Sequence, residues 1–133
     1  MMKRRIILIL LSALFIAIPV GCSKANRQTN TYEQITPEKA SALMNKEPDC
    51  VVLDVRTEEE FASGHIENAV LIPDYEIESK AKTVLTDKNQ LILVYCRSGR
   101  RSKIAAEKLV NMGYTNVKEF GGIIDWKYKI VTE

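Results

Sequence analysis

The chain has 133 residues, 46% hydrophobic and 27% charged, with six glycines, four prolines and three cysteines. This composition excludes a disordered or collagenous chain, and three cysteines cannot build a disulfide framework. The formal net charge is +2, but removing Lys3, Arg4 and Arg5 of an N-terminal leader leaves 16 basic residues against 17 acidic ones, a net −1. A near-neutral remainder without a long basic run gives no argument for a nucleic-acid partner, and none is expected.

Residues 1–21 read as an export signal. Lys3-Arg4-Arg5 is a positive start, and Ile6 to Ile18 is apolar except for Ser12. That run is shorter than the roughly 18–20 residues that span a bilayer comfortably. Pro19-Val20-Gly21-Cys22 follows. A small residue before a cysteine, after such a run, resembles a bacterial lipobox, although Pro19 stands where leucine is usual. The resemblance implies cleavage before Cys22, lipidation of Cys22 and a membrane-anchored protein facing outside the cytoplasm. Plain secretion and an uncleaved anchor are the alternatives. Residues 22–31 then form the lipidated cysteine and a polar tether, since Ser23 to Thr31 lacks apolar periodicity. Residues 32–133 remain for one domain.

Within that domain, Tyr32–Ile35 is a short strand. Thr36-Pro37 starts a helix over 37–46, with Thr as cap and Pro in the first turn. Cys50–Arg56 is a continuous β-branched run, as in a strand buried on both faces. Thr57 to Gly64 is a short acidic helix, Ala69–Pro73 a strand, Tyr75–Leu85 a helix and 86–89 a turn. Leu91–Tyr95 is the most apolar strand. Arg101 to Met112 is an amphipathic helix stopped by Gly113. Asn116–Phe120 is the last strand, Gly121-Gly122 a turn, and 123–129 a final helical turn or two. Alternating strands and helices predict an α/β fold, with a mostly parallel sheet of about five strands and helices on both faces.

Leu91–Ser102 carries the chemistry. A buried strand ends at Cys96, a glycine-containing loop follows, and a helix begins. Ligands of open α/β sheets bind beyond the carboxyl ends of strands. Loop amides at a helix start suit an anion, and Arg97, Arg100 and Arg101 add positive charge. A thiol there should ionise below the ~8.5 of free cysteine. The segment therefore describes a thiolate nucleophile beneath an anion cradle.

Cys96-Arg-Ser-Gly-Arg-Arg-Ser102 resembles the active-site loop of the rhodanese (sulfurtransferase) family. Leu53-Asp54-Val55-Arg56, then Glu60-Phe61, Gly64-His65-Ile66 and Ala69, resembles that family's upstream signature. Gly121-Gly122 with Trp126 is similar to its C-terminal end. The resemblance runs from about residue 32 to 130. It implies a rhodanese-like fold and a sulfurtransferase that moves sulfane sulfur from thiosulfate or a similar donor. The acceptor would be cyanide in an assay or a thiol in the cell. The sulfur would travel as a covalent persulfide on Cys96, with no other cofactor and no metal. Amides from Arg97 through Ser98, Gly99, Arg100 and Arg101 to Ser102 would hold the persulfide. Arg97 and Arg100 would contact the donor anion. Arg101 would contact the anion or hold the loop shape. A monomer is expected. The count Cys96 to Arg101 is C-x₄-R, whereas related phosphatases use C-x₅-R, so phosphatase or arsenate reductase activity is the less favoured reading. A binding or persulfide-delivery module without turnover is the main alternative.

The remaining candidates read as structural. Cys50 is core filler, too far from Cys96 to bridge if their strands are parallel neighbours. Asp54 and Arg56 support the site, by touching the active loop or by an ion pair joining strand to helix. His65 is a satisfied structural histidine and Trp126 packs on the sheet. Glu58-Glu59-Glu60 is a solvated helix start favoured by the helix dipole.

Overall fold

The β-branched runs of the sequence form the middle of one sheet. A computed structural model describes residues 31–133. The leader, Cys22 and all but the last residue of the tether lie outside the described residues. Strand β1 is Glu33–Gln34, helix α1 Pro37–Lys46, β2 Val51–Asp54, α2 Glu58–Ser63, β3 His65–Ile66 and β4 Val70–Leu71. A 3-10 turn at Asp74–Glu76 leads into α3, Ile77–Val84. Then come β5 Ile92–Cys96, α4 Arg100–Asn111, β6 Val117–Gly122, a 3-10 turn Ile123–Asp125 and β7 Ile130–Val131.

Five strands pair in the order β1-β6-β5-β2-β4, and every pairing is parallel. Central strand β5 is buried along its whole length. Alternation splits its side chains between two cores. Leu53, Ile92, Val94, Cys96 and Val117 pack against Ile77 and Ala81 of α3 and Ala105 and Leu109 of α4. Val52, Leu93, Tyr95 and Phe120 pack against Ala40, Leu43 and Met44 of α1. Both faces are thus covered by helices, as continuous apolar strands require. Each fully buried Leu or Ile contributes about 1.5–3 kcal/mol. Among the described residues, no helix is long and apolar enough to cross a membrane.

The expected elements are present, with differences at their ends. The strand expected over 69–73 forms a ladder only at Val70–Leu71. Pro73 then directs a 3-10 turn, its carbonyl accepting the Glu76 N–H at 2.8 Å, before α3 starts. The expected final helix over 123–129 is a single 3-10 turn. The chain leaves it extended at Trp126, whose ring packs 5.6 Å from Phe120 and 4.9 Å from Tyr128. Packing Trp126 partly buried against the α1-side core outweighs further helix, and Ile130–Val131 then pairs antiparallel with His65–Ile66.

Gly121-Gly122 ends β6 rather than forming a turn. Val94 pairs with Glu119 and Cys96 with Gly122, so β6 spends one extra residue across two steps of β5. Gly121 takes the left-handed conformation that this bulge needs, at φ +89°. Gly122 is a close approach: a Cβ there would lie 1.9 Å from the Arg97 carbonyl oxygen. The bulge therefore brings bare backbone under the residue that follows Cys96.

Cys50 is half-buried just before β2, Cys96 is buried at the end of β5, and both are free thiols. Val51 pairs with Ile92, which puts the two cysteines at opposite ends of parallel neighbours.

Candidate active site

Cys96 is the last residue of β5 and is 1% exposed. The Gly99 N–H donates to its Sγ at 3.0 Å. Gly99 reaches that orientation with φ +104°, as the residue capping α4. The Ser102 hydroxyl oxygen lies 3.4 Å from Sγ. Burial pushes the thiol up. The Ser102 side chain and the N–H groups of Ser102, Gly99 and Ser98 outweigh burial and hold it below its ordinary value. The amides at the start of α4 thus converge on one sulfur atom, and a charged sulfur is the form that they favour.

The three arginines of the loop separate in role. Arg97 and Arg100 are exposed, and neither makes a salt bridge among the described residues. Their guanidinium groups are available to an anion at the mouth. Arg101 is instead engaged by Glu60 through two hydrogen bonds of 2.8 Å each. Of the two tasks open to Arg101, this contact serves loop shape. Ser98 is exposed at the tip of the loop, and Gly99 is buried against Sγ. Ser102 is fully buried, beside the thiol rather than at the mouth. Its hydroxyl donates to Glu119 Oε1 at 2.6 Å.

Asp54 and Arg56 form a buried ion pair, with Arg56 Nη2 2.7 Å from Asp54 Oδ2. Arg56 Nη2 also donates to the Gly64 carbonyl at 2.7 Å, which fastens β2 to the end of α2. The Arg56 guanidinium lies over the Tyr95 ring. Asp54 shares the strand face of Val52, away from Cys96, so the pair braces the scaffold from behind. His65 is buried and stacked 3.7 Å from Phe61, and its Nδ1 bonds the Phe61 carbonyl at 2.9 Å. No hydrogen bond joins it to Cys96. Among the described residues, no group of three or more His, Cys, Asp or Glu assembles as a metal site.

Two residues of the site drew no role of their own from the sequence, beyond the family signature that includes Glu60 and the strand that includes Glu119. Glu60 completes a capping box with Thr57: Thr57 Oγ1 accepts the Glu60 N–H, and Glu60 accepts the Thr57 N–H at 3.0 Å. The Thr-x-x-Glu spacing signals that box. Its second use, gripping Arg101 at a separation of 41 residues, has no local signal. Glu119 sits in a strand beside Lys118 and gives no hint of burial, yet it is only 2% exposed.

Arg101 holds the Glu60 carboxyl down to about 2 against the opposing effect of burial. A depressed carboxyl stabilises the fold fully above its unfolded value of about 4.3, and that contribution fades as pH falls towards the folded value. Glu60→Gln keeps the capping box and loses only the charge that grips Arg101. The variant should be less stable near neutral pH by about 0.5–1 kcal/mol for a partly exposed pair, read as a lower melting temperature. The difference from wild type should vanish near pH 2 in a melting series.

The sequence pattern of the rhodanese-like domain matches residues 36–129. The thiosulfate sulfurtransferase PspE of Escherichia coli (strain K12) is 41% identical over 73 residues, covering 55% of this chain and 70% of that protein. A sulfurtransferase of Allochromatium vinosum is 34% identical over 94 residues, covering 70% of this chain and 86% of that protein. A solved structure described as rhodanese with anions from E. coli superposes with a TM-score of 0.59 at 37% identity, covering 62% of this chain and 98% of the other. Sulfurtransferases of this family carry sulfur as a covalent cysteine persulfide and use no separate cofactor. The parallel sheet, the cysteine at the end of its central strand and the matched pattern agree: this chain belongs to the rhodanese-like domain family.

Proposed function

We propose that this protein is a sulfurtransferase that takes sulfane sulfur from thiosulfate or a similar anion and passes it to a thiol. The observation that carries the reading is the Cys96 sulfur itself, buried yet accepting the Gly99 N–H at 3.0 Å, with its thiol held below the ordinary value by the amides and hydroxyl around it. The Cys96 thiolate attacks the outer sulfur of thiosulfate. A sulfur–sulfur bond to Cys96 forms, the bond within thiosulfate breaks, and sulfite leaves with the electron pair. The terminal sulfur of the persulfide bears the negative charge, and amides of the loop stabilise it as an oxyanion hole stabilises an alkoxide. Arg97 and Arg100, exposed and free of salt bridges, suit the incoming dianion. The acceptor thiolate then attacks the terminal sulfur, and Cys96 leaves as thiolate. This is ping-pong chemistry on a covalent intermediate.

Intact-mass spectrometry of the purified protein tests the reading. Thiosulfate should add one sulfur to Cys96, and cyanide should remove it with release of thiocyanate. Cys96→Ser should gain nothing. A reduced, folded wild type that takes up no sulfur from thiosulfate or from a persulfide donor would favour the non-turnover module.

We further propose export and lipid anchoring through Cys22, on the basic start, the apolar run and the Gly21-Cys22 junction. The domain would then work outside the cytoplasm, tethered by the polar segment before residue 32. In a bacterial host, Cys22→Ala should abolish lipid labelling. Equal labelling of wild type and variant would defeat the lipoprotein reading.

A further inference from the structure

Ser102 has one hydroxyl proton and four neighbours that bear on it. Glu119 Oε1 is 2.6 Å away, the Gly99 carbonyl 3.0 Å, and the Gly121 carbonyl and Cys96 Sγ each 3.4 Å. The shortest of these is the carboxylate, so the hydroxyl proton points to Glu119 and an oxygen lone pair faces the thiol. Glu119 accepts a second hydrogen bond on the same oxygen, from the Gly121 N–H at 2.8 Å. Both donors are neutral, and no salt bridge reaches Glu119 among the described residues. A carboxyl only 2% exposed is thus aimed under the reactive loop without a cation of its own.

The strand bulge explains the placement. Glu119 shares the strand face of Val117, which packs in the core beneath α4 together with Cys96. The left-handed Gly121 turns its N–H back onto the carboxylate. Glu119 also lines a cleft of about 560 Å³ between the loop and the start of α1. Sγ and Ser102 are themselves buried, and Sγ, Oγ and Oε1 form a connected polar path from the thiol to that cleft.

We propose that Glu119 is a positioning residue that, through the Ser102 hydroxyl, takes up the Cys96 thiol proton when the nucleophile forms. The proposal rests on Cys96 being the nucleophile. The thiol proton moves to Ser102 Oγ as the Ser102 proton moves to Glu119 Oε1. The products are a thiolate, an unchanged serine and a neutral carboxyl, with no net charge created. Ser102 then donates to the thiolate and accepts from Glu119.

Other charged groups surround the pair. Arg101, gripped by Glu60 and near Asp74, acts on Cys96 from α4. Arg97 and Arg100 flank it from the loop and the start of α4. Lys103, Glu38, Asp125 and Lys127 line the cleft. Lys118 lies on the opposite strand face and pairs with Glu33.

The test is alkylation of Cys96 by iodoacetamide across pH, read at the Cys96 peptide by mass spectrometry on the full chain without a sulfur donor. It therefore fails or succeeds independently of the persulfide assay. Glu119→Gln keeps a partner for Ser102 but takes up no proton, so the midpoint of Cys96 alkylation should shift upward. Ser102→Ala, which leaves the carboxyl in place, should shift it upward too. Asp125→Asn, in the cleft but off the path, should leave it where the wild type has it. An unchanged or lower midpoint in Glu119→Gln shows that the carboxylate acts as a nearby negative charge only, and it overturns the proposal. A wild-type midpoint in Ser102→Ala overturns the relay.

Discussion

A sulfur anion cannot be buried at the end of a β-strand without donors to replace water. An unpaired buried charge costs several kcal/mol. Here the donors are backbone amides, which carry no side chain that could swing away. Gly99 N–H at 3.0 Å is the closest of them, and its left-handed backbone is what aims it. The rest of the structure follows from the need to hold that short turn in place. β5 supplies a rigid base, buried at every residue. α4 begins at Arg100 and brings the positive end of its dipole to the sulfur.

The turn is held from two sides. On one, Arg101 is locked to Glu60, which caps α2 at the same time, so the starts of two helices are fixed together. On the other, the bulged end of β6 passes beneath the loop. Gly122 allows its backbone to approach where a Cβ would strike the Arg97 carbonyl at 1.9 Å. That carbonyl also accepts the Ile124 N–H at 3.3 Å. Arg97 and Arg100 are left to face solvent. On the proposed function, holding the sulfur and attracting the donor are then tasks of different residues within one heptapeptide.

Much of this was legible in the sequence. Strand-loop-helix around Cys96 can be read from Leu91–Tyr95, the glycine, and the periodicity after Arg101. The central strands β2 and β5 can be read from their apolar, β-branched runs. The losses are long-range. The β3–β7 ribbon pairs residues 65–66 with 130–131, and neither segment is long enough to signal a strand. Glu60 looked like one of three solvated acids, because its partner is far along the chain. Glu119 drew no reading of its own, because nothing local shows that β6 turns its face beneath the loop. Gly121-Gly122 looked like a turn, since glycine pairs favour turns and a bulge uses the same backbone freedom. Asp54 and Arg56, paired two residues apart, serve the scaffold through Gly64 and Tyr95.

The central claim is that the loop amides hold the sulfur carried by Cys96. A crystal structure of the protein soaked in thiosulfate tests it most directly. The account predicts one added atom on Cys96 Sγ, within hydrogen-bond distance of N–H groups between Arg97 and Ser102. An added sulfur that points away from those amides, leaving them to water, would contradict it.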